Sequence, residues 1–254
     1  MKLTSLFGTA LSASLLAACG GGGGGESAIA PLPAIAQGVY AGTLTGSTSP
    51  QFQMLVLESG GIYSLYGTTS GGIFLVSGFV QGLSTSSAGV FNASNAKDFG
   101  SSLARNSPIA GTYTASNVLN ASATYTGLGA VTIAGAPIVN PLYNYNTAPA
   151  LTDIQGAWSM TDLAGNPVSL AVQSSGAFTG SSGGCGFSGN LTPRATGKNV
   201  FNFTVSFGAS PCVLANQSAT GIGLSYMVGS TVRQLIIAGT DNGRTTGTAL
   251  FGSR

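Results

Sequence analysis

Hydrophobic positions recur in short runs along the chain, and each run ends at a cluster of Gly, Ser and Asn. Val, Ile, Thr, Tyr and Phe dominate the runs, which predicts β-strands joined by tight turns. The hydrophobic positions show no sustained helical period of about 3.6 residues. Strands are predicted at residues 52–58, 62–66, 73–81, 89–94, 111–116, 168–173, 177–180, 200–207, 224–228, 234–238 and 246–251.

Short segments of the first half recur in the same order in the second half. Residues 37–40 match 155–158, 58–63 match 173–178, 78–79 match 186–187, and 90–92 match 200–202. We therefore predict an all-β fold with two tandem modules, residues 36–147 and 150–254, with one helical turn near 149–154 between them. Each module would hold about eight antiparallel strands closed into a small barrel or sandwich, which removes exposed edges. Chance similarity between glycine-rich strands is the alternative.

The first 18 residues have the layout of a secretory signal peptide: Met1-Lys2, then an apolar stretch. The stretch ends in Leu16-Ala17-Ala18-Cys19, which resembles the lipobox of bacterial lipoproteins. This resemblance implies cleavage before Cys19, and a diacylglycerol and an N-acyl group on that cysteine. Gly20 stands where an Asp would favour the inner membrane, so the resemblance implies lipid anchoring in the outer membrane, on either face. Residues 19–35, with Gly20–Gly25, are predicted to be a flexible tether.

The other two cysteines, Cys185 and Cys212, are 27 residues apart. An exported chain meets an oxidising compartment, so a disulfide between them is predicted. Metal binding is the alternative interpretation, but two cysteines without histidine form an incomplete site.

Gly156-Ala157-Trp158 resembles the start of a lipocalin-type barrel, and Gly38-Val39-Tyr40 occupies the matching place in the first module. In that family the Trp closes the barrel base against an Arg from a late strand. The resemblance implies that Arg233 or Arg244 contacts Trp158. The tandem plan also resembles the small barrels of surface lipoproteins such as transferrin-binding proteins.

The amino-acid composition limits the catalytic and binding functions that the chain can have. The chain contains no histidine, only 6% charged residues, and a formal net charge of +2 without a basic cluster. Histidine bases and the commonest metal ligand are therefore excluded, and nucleic-acid binding is not expected. No catalytic residue, metal or cofactor is predicted. A carboxylate-based glycan hydrolase, using Glu58 with Asp98 or Asp162 with Asp241, is the least favoured alternative.

Tyr143 and Tyr145 alternate with Asn144 and Asn146, which places both rings on one face of an extended segment. They are candidate binding residues, and packing against the second module is the alternative role. We expect a non-enzymatic outer-membrane lipoprotein that binds a protein, a glycan or another neutral envelope component. A lipocalin-like carrier of a small apolar ligand is the runner-up.

Overall fold

The computed structural model describes residues 35–100, 104–127, 129–138 and 143–254. The predicted signal peptide, Cys19 and residues 20–34 of the predicted tether lie outside these residues. The all-β prediction is confirmed, with one sheet and one closed barrel, both antiparallel. None of the described segments forms an apolar helix of membrane-spanning length.

The first half forms an eleven-stranded sheet, where about eight strands are predicted. Its strands are β1 (Gly38–Thr45), β2 (Gln51–Val56), β3 (Gly61–Ser70), β4 (Ile73–Leu83), β5 (Thr85–Ser87), β6 (Val90–Ala93), β7 (Lys97–Asp98), β8 (Arg105–Asn106), β9 (Ile109–Thr114), β10 (Val118–Tyr125) and β11 (Gly129–Pro137).

The order of the strands in this sheet is β5-β6-β9-β10-β11-β1-β2-β3-β4-β7-β8. Only Ser84 separates β4 from β5, although β4 pairs with β3 and β5 pairs with β6. The sheet therefore curls back on itself, and its concave face encloses an apolar core.

The second half is a closed barrel of eight strands. It follows a single 3-10 turn, Leu151–Asp153, which lies in the predicted helical position. The strands are β12 (Gly156–Asp162), β13 (Pro167–Val172), β14 (Ala177–Ser182), β15 (Cys185–Pro193), β16 (Phe201–Phe207), β17 (Ser218–Val228), β18 (Val232–Asp241) and β19 (Gly247–Ser253).

One end of the barrel is closed by the 3-10 turn. Ile154 is fully buried there, and Trp158 Nε1 donates to the Ile154 carbonyl oxygen at 2.7 Å. The guanidinium over the Trp158 ring belongs to Arg254, with its Cζ 4.1 Å from the ring centroid. The assignment to Arg233 or Arg244 was wrong, because Arg233 pairs with Asp153 and Arg244 lies in the β18–β19 turn at the opposite end.

The predicted disulfide between Cys185 and Cys212 is confirmed, at the other end of the barrel. Cys185 begins β15, and Cys212 lies in the loop between β16 and β17. Leu214, two residues further along that loop, packs into the barrel core. The disulfide therefore fastens the loop that covers this end.

Three apolar cores hold the described residues together. One lies inside the curled sheet, around Phe52 and Met54, and one lies inside the barrel, around Phe178 and Phe203. The third, here called the shared core, joins the outer face of β2–β4 to the outer face of β17–β19. Each half thus has its own interior, and the shared core makes the two halves a single compact unit.

The outer face of β17 shows how the sequence marks the shared core. Ser218 and Thr220 are exposed, whereas Ile222 and Leu224 on the same face are buried in the shared core. Burial on both faces explains why residues 234–240 of β18 form a continuous buried run instead of an alternating one.

A buried glutamine links the two halves within the shared core. Gln234 is fully buried; its Oε1 accepts from the Phe74 backbone N–H at 3.0 Å, and its Nε2 donates to the Phe74 carbonyl at 2.7 Å. Tyr226 Oη donates to Gln234 Oε1 at 2.9 Å and lies 3.2 Å from Gln53 Oε1. The Gln234 amide thus makes the two hydrogen bonds that the backbone of a neighbouring strand would make with Phe74.

The internal repeat has a structural counterpart. Tyr40 Oη donates to the carbonyl four residues earlier, as Trp158 Nε1 does, and Gly38 and Gly156 both have positive φ angles. In the following turns, Gly60 N–H donates to Leu57, and Gly176 N–H donates to Gln173, each at 2.9 Å. This match shifts the alignment of residues 58–63 by one position, because Leu57 rather than Glu58 corresponds to Gln173.

Candidate functional site

A cleft lies beside the start of β1, where the connection to the barrel leaves the curled sheet. This junction cleft is lined by residues 37–40, 137–138 and 143–146 together with Ser116, and its volume is about 450 Å³. That size falls within the usual range of small-molecule sites, about 300–1,000 Å³. Its described lining contains aromatic, amide and hydroxyl side chains and no charged side chain.

Tyr143 and Tyr145 both line the junction cleft, yet most of each side chain is buried. They are 5% and 8% exposed and belong to the shared core. Tyr143 Oη donates to the Asn199 carbonyl, and Tyr145 Oη lies 3.1 Å from Glu58 Oε2. Burial raises the pKa of both phenols. This geometry favours the packing role for the two rings, which form the rigid floor of the cleft.

Asn144 and Asn146 are exposed at the rim of the cleft. Asn144 Oδ1 accepts from the Asn146 backbone N–H at 3.0 Å, and the Asn144 carbonyl accepts from Asn199 Nδ2 at 3.0 Å. Asn146 Oδ1 accepts from Lys198 Nζ at 2.8 Å, and the same ammonium lies 5.1 Å from the Tyr145 ring centroid. The barrel therefore fixes the rim through two residues of its β15–β16 loop.

Gln37 is a polar lining residue of the cleft that the sequence did not identify as a candidate. Its Oε1 is buried and has no hydrogen-bond partner among the described residues. A buried acceptor left unpaired costs about 1–3 kcal/mol, so such atoms are uncommon in folded proteins. Its place at the start of the internal repeat was the available signal, but the repeat indicates structure and gives no sign of an unpaired amide.

A charged network supports the Tyr145 side of the cleft. Arg194 Nε donates to Glu58 Oε1 at 2.6 Å, and Thr196 Oγ1 donates to the same oxygen at 3.0 Å. Arg194 also donates to Asn202 Oδ1 at 2.9 Å. Burial by itself would raise the pKa of Glu58. The hydrogen bonds that Glu58 accepts from Arg194 and Thr196, together with the Arg194 charge, outweigh burial and hold the pKa below its ordinary value.

We expect the stabilising effect of Arg194 to depend on pH. The folded-state pKa of Glu58 is lowered, so its contribution is present above its ordinary pKa and is lost as the pH falls through the folded-state pKa. Arg194→Met should lower the free energy of unfolding by about 1–2 kcal/mol near neutral pH, and by less near pH 3. Urea unfolding at both pH values measures this difference.

Arg105→Met is the control for that experiment, because Arg105 is exposed on the short strand β8. Its effect should stay within about 0.5 kcal/mol at both pH values. A loss for Arg194→Met that is the same at both pH values would contradict the role assigned to the Glu58 carboxylate.

The remaining described carboxylates hold turns or contacts. Asp98 Oδ1 accepts from Tyr66 Oη at 2.7 Å, Asp153 pairs with Arg233 at 3.0 Å, and Asp162 organises the β12–β13 turn. Asp241 accepts three hydrogen bonds from Thr245 and Thr246, which outweigh burial and lower its pKa. The described part of the chain contains no group of three residues suited to holding a metal ion.

A second concave surface lies on the outer wall of the barrel, across β14–β17, with a volume of about 610 Å³. Exposed hydroxyl and amide side chains form its rows: Thr179, Ser188, Asn190, Thr204, Ser206, Ser218 and Thr220. Ser206 and Ser218 lie opposite each other, with their Oγ atoms 3.3 Å apart. None of its described lining residues carries a buried polar atom without a hydrogen-bond partner.

Comparison with known proteins gives no functional relative. No protein-family model and no curated protein matches the chain. Among solved structures, it is similar to a protein of unknown function from the DUF3598 family of Nostoc punctiforme. That match has 11% sequence identity and a TM-score of 0.28, and covers 85% of this chain and 95% of the other. A likeness at this level carries no argument about function.

Proposed function

We propose that the chain is a non-enzymatic binding protein of the bacterial outer membrane, anchored by lipid at Cys19, which holds a neutral partner in the junction cleft. The observation that carries the proposal is the cleft itself. It combines tyrosine, asparagine and glutamine side chains, and its described lining contains no charged side chain. Such a lining suits a partner that forms hydrogen bonds and carries no charge.

The absence of histidine from the sequence and the engagement of the described carboxylates support a role without catalysis. Glu58, Asp98, Asp153, Asp162 and Asp241 each bind a neighbouring side chain or backbone group. A hydrolase would need two carboxylates directed at one substrate. The assigned contacts use these groups for turns and for the junction between the halves.

The barrel interior argues against the apolar-carrier alternative. Its inward side chains pack into one cluster, in which the Phe178 and Phe203 rings stack with centroids 5.7 Å apart. Small eight-stranded barrels are commonly filled by their own side chains. This filled interior supports a partner site outside the barrel, at the junction of the two halves.

Lipid anchoring is tested at Cys19. Mass spectrometry of the mature protein should find Cys19 at the N-terminus with a diacylglycerol and an N-acyl group. Cys19→Ser should remove the modification and release the protein from the membrane fraction, because each buried CH₂ contributes about 0.8 kcal/mol to membrane binding. Gly20→Ala is the matched control and should stay acylated. An unmodified, internal Cys19 would contradict the anchor.

A further inference from the structure

We infer that the mature protein rests on the lipid surface through an uncharged patch at the root of its predicted tether. This root patch consists of exposed side chains around the β5–β6 hairpin: Ile35, Leu83, Thr85, Ser87, Val90 and Asn92. The inference rests on the lipid anchor of the proposed function. It goes beyond that function, because it assigns the face of the first half that meets the membrane.

The side chains of the root patch share one side of a continuous strip of chain. The chain changes partner strands at Ser84, yet residues 83–87 still alternate between exposed and half-buried positions. Val90 pairs with Ser87 across the hairpin, and directly opposite residues of an antiparallel pair project to the same side. Leu83, the exposed hydroxyl groups that follow it and Val90 therefore form a single surface.

The fold leaves the large apolar members of this patch in solvent. Leu83 and Val90 are each 59% exposed, and Ile35 is 38% exposed. The core inside the curled sheet is filled from the other side of the hairpin, by Phe91 and Ala93. Exposed apolar side chains that lie together mark an interaction surface, whereas scattered ones are ordinary. The patch carries no charged side chain, so it can enter the lipid head groups without burying an ion.

The predicted anchor brings the root patch to the membrane. Ala36 N–H donates to Ser86 Oγ at 3.0 Å, so the first described residues lie against β5. Cys19 precedes Ile35 by 16 residues. A glycine-rich chain of that length has an end-to-end distance of about 20–25 Å, which is shorter than the first half is wide enough to turn away from. The lipid is therefore the surface nearest to the patch.

Confinement by the anchor makes a small apolar patch sufficient. A few aliphatic side chains would not hold a free protein on a membrane, since even a myristoyl chain by itself binds only marginally. A short flexible tether raises the local concentration of the attached body to the order of millimolar, which favours contacts too weak to form in solution. Every anchored molecule meets the lipid surface in this way, without a search for a partner.

A peptide that adds as a β-strand fits the same place less well. The strand β5, at the edge of the sheet, has only three residues. Ser86 Oγ, in the middle of that strand, already accepts from the Ala36 N–H. Strand addition depends on a row of free backbone groups along an edge, and an edge this short offers few of them.

A photoreactive residue tests the contact with lipid. Benzoylphenylalanine replaces Thr85, inside the root patch, in the mature acylated protein, which is reconstituted in vesicles of phosphatidylethanolamine and phosphatidylglycerol and irradiated. Mass spectrometry should find a phospholipid adduct at this position. The same residue in place of exposed Thr179, on the outer wall of the barrel, should give at most about a fifth of that yield.

A second comparison removes the apolar atoms and keeps the tether, because closeness to the anchor alone would also give some adduct. Leu83→Ser together with Val90→Ser should lower the adduct yield at position 85 about fivefold. Leu75→Ser is the matched control, since Leu75 is exposed on the same strand about 26 Å from Leu83. It should leave the yield unchanged, and circular dichroism checks that each variant is folded.

Flotation of the vesicles separates this inference from the proposed function. If the protein is acylated at Cys19 and floats, but the double serine variant labels as well as the wild type, or positions 85 and 179 label equally, the root patch is wrong and the anchor stands. A protein adduct in place of phospholipid at position 85 in intact cells would also overturn the patch. If Cys19 is unmodified and the protein does not float, both the inference and the anchor are wrong.

Discussion

Gln234→Ala should lower the free energy of unfolding by about 3–5 kcal/mol. The glutamine is fully buried and holds both the N–H and the carbonyl of Phe74. Its removal leaves these two backbone groups without their partner and takes away one of the two acceptors of the Tyr226 hydroxyl. It also opens a cavity in the shared core. Urea unfolding of the variant and the wild type measures the loss.

Two further variants separate the hydrogen bonds from the cavity. Gln234→Leu keeps most of the volume but still leaves the Phe74 groups unpaired, so it should remain destabilising by about 2–3 kcal/mol. Gln173→Ala alters an exposed glutamine and should change stability by no more than about 0.5 kcal/mol. A neutral result for Gln234→Leu would show that the amide contributes only by filling space.

Replacing both Cys185 and Cys212 by serine should lower the free energy of unfolding by about 3–4 kcal/mol. The bond closes a loop with a sequence separation of 27 residues, and a cross-link of this span restricts the unfolded chain by about that amount in the chain-entropy model. The folded state also depends on the bond, because the tethered loop places Leu214 in the barrel core. Guanidinium unfolding compares the variant with the oxidised wild type.

Reduction provides the control for the cysteine experiment. Dithiothreitol should move the unfolding midpoint of the wild type towards that of the double-serine variant and should leave the variant unchanged. If the reduced and oxidised wild-type proteins unfold at the same denaturant concentration, the barrel end does not depend on the bond.

The alternating runs were sufficient to predict the fold class and many of the strands. The runs at 73–81 and 168–173 correspond to β4 and β13, and the turn at Asp241 joins β18 to β19 as expected. These segments carry branched or aromatic side chains on their buried face, which makes the period of two residues visible in the sequence.

The hydrophobic pattern did not predict the strands that are built from small residues, such as β11 and β15. In β11, Gly135 lies under the Phe52 ring, and a Cβ there would be 2.8 Å from Phe52 Cζ. In β15, Gly189 lies under Phe178 in the same way, at 2.6 Å. The core at these places is filled by an aromatic ring from another strand, so the strand itself shows little hydrophobicity.

The sequence predicted only part of the candidate site. Tyr143 and Tyr145 do line the cleft, but their burial depends on contacts with the barrel, which local patterning does not reveal. Gln37 became visible only through the absence of a partner for its Oε1 among the described residues. The same limit explains Arg254, which reaches Trp158 from beyond the last strand.

The contact between the halves is heterologous, because the first half uses β2–β4 and the second uses β17–β19. In the repeat, β2–β4 correspond to β13–β15, whose outer face carries Ser169, Thr179 and Ser188, all exposed. A third copy stacked in the same manner would meet hydroxyl groups where the second copy met leucine and phenylalanine. The outer face of β13–β15 is therefore not suited to the apolar contact that β2–β4 make.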